Sequence, residues 1–184
     1  AGALWHFGLR PENPTMHTVR QSRSMMGTQI NLIVHGPDPD SCADAVESTF
    51  ARMEELVGRL SRHNPKSELN SLNTQGVLSN PSKDIRQVLL LADHISSVTG
   101  GAFDVTVLPL LELYRQAKAD NSLPPMEQVA TALNLVDYSK VNVSDTSISL
   151  AQQDMGITLD GIGKGYIVDL GTVTLRSKGG PNVY

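Results

Sequence analysis

The sequence predicts an α+β fold, on three observations. Two stretches within the first hundred residues repeat apolar side chains at spacings of three and four, the mark of amphipathic helices. Short stretches of alternating polar and apolar residues gather later, between positions 140 and 160. No regular strand–helix alternation runs along the chain, so helices and sheet are segregated rather than interleaved.

Taken in order, residues 1–18 carry two prolines and no clear period, which predicts an extended arm ahead of a domain spanning 19–184. Residues 19–36 read as strand material, with Ile30, Leu32 and Val34 alternating imperfectly, and Gly36-Pro37-Asp38-Pro39 then makes a turn. Over 41–60, Val46, Phe50, Met53, Val57 and Leu60 fall on one helical face, with Asp40 or Ser41 as the cap. The segment 61–81 is polar, with a helical turn over 67–72. A second long helix covers 82–98, burying Ile85, Val88, Leu89, Ala92 and Ile95, and Gly100-Gly101 end it. A short helix is expected over 126–133 after Pro124-Pro125. Residues 140–143 and 147–150, joined by Ser144-Asp145-Thr146, read as a hairpin, and 156–160 as a further strand entering a glycine-rich turn.

Apolar residues are 40% and charged residues 18%, a balance that supports a packed core and argues against disorder. The net charge of -4, the pI near 5.7 and the lack of a Lys/Arg cluster argue against a nucleic-acid or anionic-membrane surface. The longest apolar runs, such as 88–92, fall far short of the roughly 20 residues of a membrane span. Residue 1 is Ala, which fits a processed export signal or a trimmed chain. The lone Cys42 excludes an internal disulfide.

Four segments can carry chemistry. Asp160-Gly161-Ile162-Gly163-Lys164-Gly165-Tyr166 places three glycines after a strand, so the backbone can approach a ligand with its N–H groups aimed at it. A helix starting near Gly163 adds positive potential where phosphates sit, Lys164 adds an ammonium, and Asp160 a carboxylate for hydroxyls or a metal shell. The spacing is neither that of the P-loop nor that of the Rossmann turn, and a plain strand-to-helix turn is the alternative. In Thr99-Gly100-Gly101-Ala102-Phe103-Asp104-Val105-Thr106, Phe103 suits an apolar pocket and Asp104 an acceptor for a ring or ribose. The alternative is a helix cap, a core Phe and a solvated Asp. Residues 60–70 form a polar loop with His63 and a helix start at Ser67. Met26-Gly27-Thr28 interrupts a strand pattern with glycine, a mark of a bulge or of a close ligand approach. The remaining histidines show no metal-ligand spacing with one another or with Cys42, and no Gly-x-Ser-x-Gly elbow occurs.

In this order the four segments resemble the ApbE-like FAD:protein FMN transferases, over roughly residues 19–169. The most characteristic stretch is Asp160-Gly161-Ile162-Gly163-Lys164-Gly165-Tyr166-Ile167-Val168-Asp169, and the next is Gly100-Gly101-Ala102-Phe103-Asp104. The resemblance implies helices and sheets in two lobes with FAD in a cleft between them. It implies flavin contacts from Met26, His63, Ala102, Phe103, Asp104, Asp160 and Lys164, and a Mg²⁺ that takes the Gly163 carbonyl. Its chemistry is attack by a threonine hydroxyl of a target protein on the FMN-side phosphorus of FAD, releasing AMP. The targets it implies are subunits of Rnf-type and sodium-pumping quinone reductase complexes, met at the periplasmic or outer membrane face by a lipid-anchored enzyme. Family members continue well past the position of Tyr184, the last residue here, which is expected to fall inside or just before a sheet strand. The Asp and Thr that complete their metal site and the candidate general bases lie beyond it, so no catalytic residue is assigned and the domain is expected to be truncated. An FAD-binding module, or an FAD pyrophosphatase using water, is the competing expectation. Gly171-Thr172-Val173-Thr174 stands where the family has a helix and is poor helix material.

Overall fold

The structure, a computed structural model, describes residues 15–178 and 182–183. Residues 1–14 of the expected arm lie outside the described residues, and so does Tyr184, so the strand expected at that position is not assigned to it. The described residues divide into two compact units, one formed by 15–49 with 172–178 and 182–183, the other by 50–171.

In the first unit the stretch read as strand material is two strands, β1 (His17–Met25) and β2 (Thr28–Gly36), paired antiparallel from His17↔Gly36 to Met25↔Thr28. Met26 and Gly27 form the two-residue turn, with φ of 54° and 70°. Left-handed conformation at both positions matches the twist of the flanking strands. Glycine takes it freely, whereas Met26 takes it at a cost of order 1 kcal/mol or more. A short strand just ahead of Tyr184, β6 (Asn182–Val183), pairs with β2 and completes the order β1-β2-β6.

Helix α1 (Pro39–Leu60) opens in this unit and closes in the next. Its cap is neither Asp40 nor Ser41. The Ser41 N–H donates to Asp38 Oδ2 at 3.1 Å, which leaves Pro39 in the first helical position, where its missing N–H costs nothing. The buried face is Val46, Phe50, Met53, Leu56 and Leu60, with the expected Val57 only half-buried.

The second unit holds a sheet of order β3-β5-β4, antiparallel throughout. The expected hairpin is β4 (Val141–Val143) and β5 (Ser147–Leu150), and the unexpected third strand is β3 (Val77–Ser79). Three residues carry too little alternation to stand out. Helix α2 (Glu68–Gln75) is capped by Ser67, whose hydroxyl accepts from the Asn70 N–H at 2.9 Å. Helix α3 (Lys83–Val98) is capped by Ser82, and the Ser82 N–H and hydroxyl in turn donate to the Glu68 carboxylate at 2.7 and 2.5 Å. Its end follows expectation. Gly100 and Gly101 take φ of 60° and 82°, and the Gly101 N–H donates back to the Ser96 carbonyl at 2.8 Å. Helix α4 (Leu108–Ala119) is not announced by an apolar stripe, though Pro109 in its first turn marks its start. Helix α5 (Met126–Leu133) stands where the sequence places it.

Two further expectations are corrected. Residues 156–160 join no sheet ladder. Apart from a parallel bridge between Val107 and Gly156, the segment is held by the Thr158 N–H on the Val105 carbonyl at 2.8 Å and by the Asn73 side chain. Helix α6 (Gly163–Ser177) runs straight through 171–174 despite their poor propensity. At Gly171 an added Cβ would lie 3.1 Å from Met53 Cγ and Sδ, so glycine is what lets α6 lie this close to Met53. Ile167 and Leu175 are buried on the same helix, and burial of that kind outweighs the few tenths of a kcal/mol that separate helix propensities. Among the described residues no helix is long and apolar enough to cross a membrane.

Candidate functional site

The two glycine-rich motifs, some sixty positions apart in the chain, meet in the second unit. A Cβ built on Gly161 would stand 3.2 Å from Phe103 Cε2, so the Phe103 ring packs on the bare backbone of the glycine-rich turn. A side chain at 161 would press the ring back by a few tenths of an ångström. Phe103 is half-buried and Ala102 exposed. The Phe103 N–H donates to Thr99 Oγ1 at 3.2 Å, which ties the aromatic residue to the end of α3.

Asp104 faces inward. Its Oδ1 accepts from the Thr106 N–H at 2.7 Å and the Thr106 hydroxyl at 2.6 Å, and its Oδ2 accepts from the Tyr138 N–H at 2.9 Å. The buried Thr106 hydroxyl in turn accepts from the Asp137 N–H at 2.8 Å. The carboxylate therefore spends most of its acceptor capacity on the protein, joining the start of α4 to the loop before β4. It is not the solvated Asp of the plainer sequence reading.

The second motif is the reverse. The buried segment Met155, Ile157 and Leu159 leads up to an exposed Asp160. Asn73 fastens that segment by a reciprocal pair, its Nδ2 donating to the Ile157 carbonyl at 2.8 Å and its Oδ1 accepting the Ile157 N–H at 2.7 Å. The chain then turns tightly, with Ile162 and Gly163 N–H groups on the Leu159 carbonyl at 3.1 and 2.6 Å, and α6 begins. The next two N–H groups, of Lys164 and Gly165, belong to the first turn and lie beyond the reach of the helix's own carbonyls. Lys164 is exposed and takes part in no ion pair among the described residues. Further along the same helix, the Tyr166 hydroxyl donates to the Asp84 carbonyl at 3.3 Å. Burial raises the Tyr166 phenol above its ordinary value, and the charge of Asp84 adds to the effect. Asp84 itself is buried and paired with Arg52 at 2.5 Å.

Sequence reasoning missed the group that reaches Asp160. Arg62 Nε donates to Asp160 Oδ2 at 3.1 Å, and its Nη1 donates to Glu112 Oε1 at 2.9 Å. Arg115 Nε closes on Glu112 Oε2 at 2.5 Å. The result is a row of alternating charges, Asp160, Arg62, Glu112 and Arg115. Glu112 is held below its ordinary carboxyl value, first by the hydrogen bond from Arg115 and then by the charges of Arg115 and Arg62, against an opposing effect of burial. Arg62 carries no local signature, since a single arginine in a polar loop is ordinary. Next to it, His63 is exposed and its N–H donates to Ser61 Oγ at 3.3 Å. Met26 belongs to the other unit, at the hairpin turn.

Chemically, the turn offers an exposed carboxylate, two uncommitted backbone N–H groups and an unpaired ammonium at a helix N-terminus, beside an aromatic ring. Such a set suits a ligand with both hydroxyls and an anionic group. Gly163 is buried and is the first residue of α6, so its carbonyl already accepts within the helix. Among the described residues no three His, Cys, Asp or Glu side chains gather into a metal site.

Comparison with known proteins identifies the family and the fold. The model of the ApbE family matches residues 26–184, up to and including Tyr184. An FAD:protein FMN transferase of Haemophilus influenzae is 30% identical over 132 residues, 67% of this chain and 38% of that protein. One of Klebsiella pneumoniae is 28% identical over 153 residues, 80% and 47% of the two chains. The flavin transferase ApbE of Vibrio cholerae superposes with a TM-score of 0.76 at 23% identity, covering 92% of this chain and 56% of that one. The ApbE protein of Thermotoga maritima gives 0.75 at 22% identity, covering 89% and 54%. The two structures bear out the α+β fold. This chain spans about half or less of the length of each of these relatives.

Proposed function

The chain belongs to the ApbE family, and from that premise we propose that its second unit binds FAD for transfer of FMN to a threonine of a target protein, with release of AMP. The observation that carries this reading is the meeting of Phe103 with Gly161, which sets an aromatic ring beside a turn whose Lys164 ammonium and first-turn N–H groups have no partner among the described residues. FAD is the substrate that matches both halves: an apolar ring system, ribose and ribityl hydroxyls, and a pyrophosphate. Asp160 orients a hydroxyl. Lys164 and the N–H groups of Lys164 and Gly165 stabilise the negative charge that grows on phosphate oxygens as the threonine hydroxyl attacks phosphorus and AMP departs. His63, Ala102 and Phe103 line the ring side, and Asp104 holds Phe103 and its neighbours in place.

Mg²⁺ is part of the proposal through the Gly163 carbonyl alone. Acceptor proteins of the Rnf and sodium-pumping quinone reductase kind, and a lipid-anchored location outside the cytoplasm, are further parts of the same proposal, and fractionation of producing cells tests the latter.

The test is to incubate the chain with FAD, Mg²⁺ and a target bearing the acceptor threonine, and to weigh the target. A gain of one FMN, lost with EDTA or with Thr→Ala in the target, supports the reading. FAD bound without transfer moves it to a flavin-binding module, accumulation of AMP and free FMN to a pyrophosphatase, and absence of FAD binding overturns it.

A further inference from the structure

The geometry points to Arg62 as a positioning residue of the flavin site, acting through Asp160; the inference rests on the role of Asp160 proposed above. The Asp160 side chain is 59% exposed, so without a partner its carboxylate would sample several rotamers and have to be ordered by the ligand. Arg62 supplies that partner across 98 positions of sequence, taking Oδ2 while Oδ1 has no hydrogen-bond partner among the described residues. The guanidinium is itself fixed. It is only 20% exposed, and Glu112 holds its Nη1 while Asp160 takes its Nε. A planar fork held at two nitrogens has its plane set, so the direction of the Nε–H, and with it the carboxylate, is preset. The positive charge also offsets that of Asp160, which lowers the repulsion between this carboxylate and an anionic dinucleotide.

A merely structural role for Arg62, fastening the loop 61–67, is less well supported because that loop is fastened by its own bonds. Ser67 Oγ donates to the Ser61 carbonyl at 2.7 Å, Asn64 Nδ2 to the Gly58 carbonyl at 2.9 Å, and the Asn64 N–H to the Ser61 carbonyl at 3.2 Å. The two roles differ in one respect. Positioning through Asp160 vanishes when Asp160 can no longer act as a carboxylate, whereas loop fastening does not.

The experiment is a double-mutant cycle on FAD affinity, read by flavin fluorescence on the full chain, with Arg62→Gln, Asp160→Asn and the pair. Arg62→Gln is expected to weaken FAD about tenfold in the wild-type background and less than about twofold in Asp160→Asn. Arg62→Lys, which keeps the charge and loses the plane, is expected to recover only part of the loss. Wild-type affinity in Arg62→Gln, or an equal loss in both backgrounds, overturns the inference while leaving the FAD reading intact. If Arg62→Gln does not fold, as judged by circular dichroism, Glu112→Gln goes through the same cycle, with a loss of about threefold expected only when Asp160 is present. Equal affinity of Asp160→Asn and wild type overturns the role of Asp160 and this inference together, and no FAD binding by wild type overturns the function itself.

Discussion

The two glycine motifs that meet at Phe103 and Gly161 are built to opposite specifications. In residues 99–106 the polar groups bind one another, with three protein hydrogen bonds on Asp104 and a buried Thr106 between Asp104 and Asp137. In residues 160–165 fewer are spent: the exposed Asp160 gives one carboxylate oxygen to Arg62, while Lys164 and the N–H groups of Lys164 and Gly165 have no partner among the described residues. The contrast teaches that two similar-looking glycine–carboxylate motifs differ in what they keep free: the first spends its carboxylate on the frame of the fold, and the second keeps polar groups open to solvent. A saturated carboxylate stabilises the fold, and an unsaturated one is available for binding.

Breaking the frame has the largest expected effect. Asp104→Ala leaves the Thr106 and Tyr138 N–H groups without their acceptor and is expected to cost about 3 kcal/mol in urea unfolding. A loss below about 0.5 kcal/mol would erase the contrast. Asn73→Ala removes both bonds on Ile157, in the buried segment that delivers the second motif, and is expected to cost about 2 kcal/mol by the same measurement. Lys164→Gln sharpens the comparison from the other side. Stability should stay within about 0.5 kcal/mol, while FAD affinity drops about tenfold, as seen by calorimetry. A melting shift as large as that of Asn73→Ala would mean Lys164 belongs to the frame.

The smallest effect concerns Glu112, which anchors the outer end of the charge row. Its carboxyl lies below the ordinary value in the folded state. Its contribution to stability is therefore present above the unfolded value and lost as the pH falls through the folded one. Arg115→Gln removes the largest cause and should move the Glu112 titration, followed by carboxyl NMR, up toward the ordinary range. A titration that does not move would assign the effect to Arg62.

What was legible in the sequence follows from range. The faces of α1 and α3, the Ser67 cap, the Gly100-Gly101 ending, helix α5 and the β4–β5 hairpin depend on residues a few positions apart, and periodicity or turn chemistry reports them directly. Two of the candidate segments, 99–106 and 160–166, stood out in the sequence because three glycines or a Gly-Gly pair depart from what a helix or strand interior needs, and the structure brings these two together. The hairpin at Met26-Gly27 was legible only as an interruption, since a methionine at positive φ lacks the usual Asn-Gly mark.

The sequence by itself therefore determined the fold class, the long helices and the glycine-rich turns. Tertiary structure decided the rest: that α6 continues through Gly171 against Met53, that Asn73 rather than a strand partner holds Ile157, that Asp104 turns inward, and that Arg62 reaches Asp160. These contacts join residues 34 to 118 positions apart. Hydrogen bonding and packing at such separation leave no trace in local periodicity, because each partner alone is compatible with many surroundings and only the folded chain selects one.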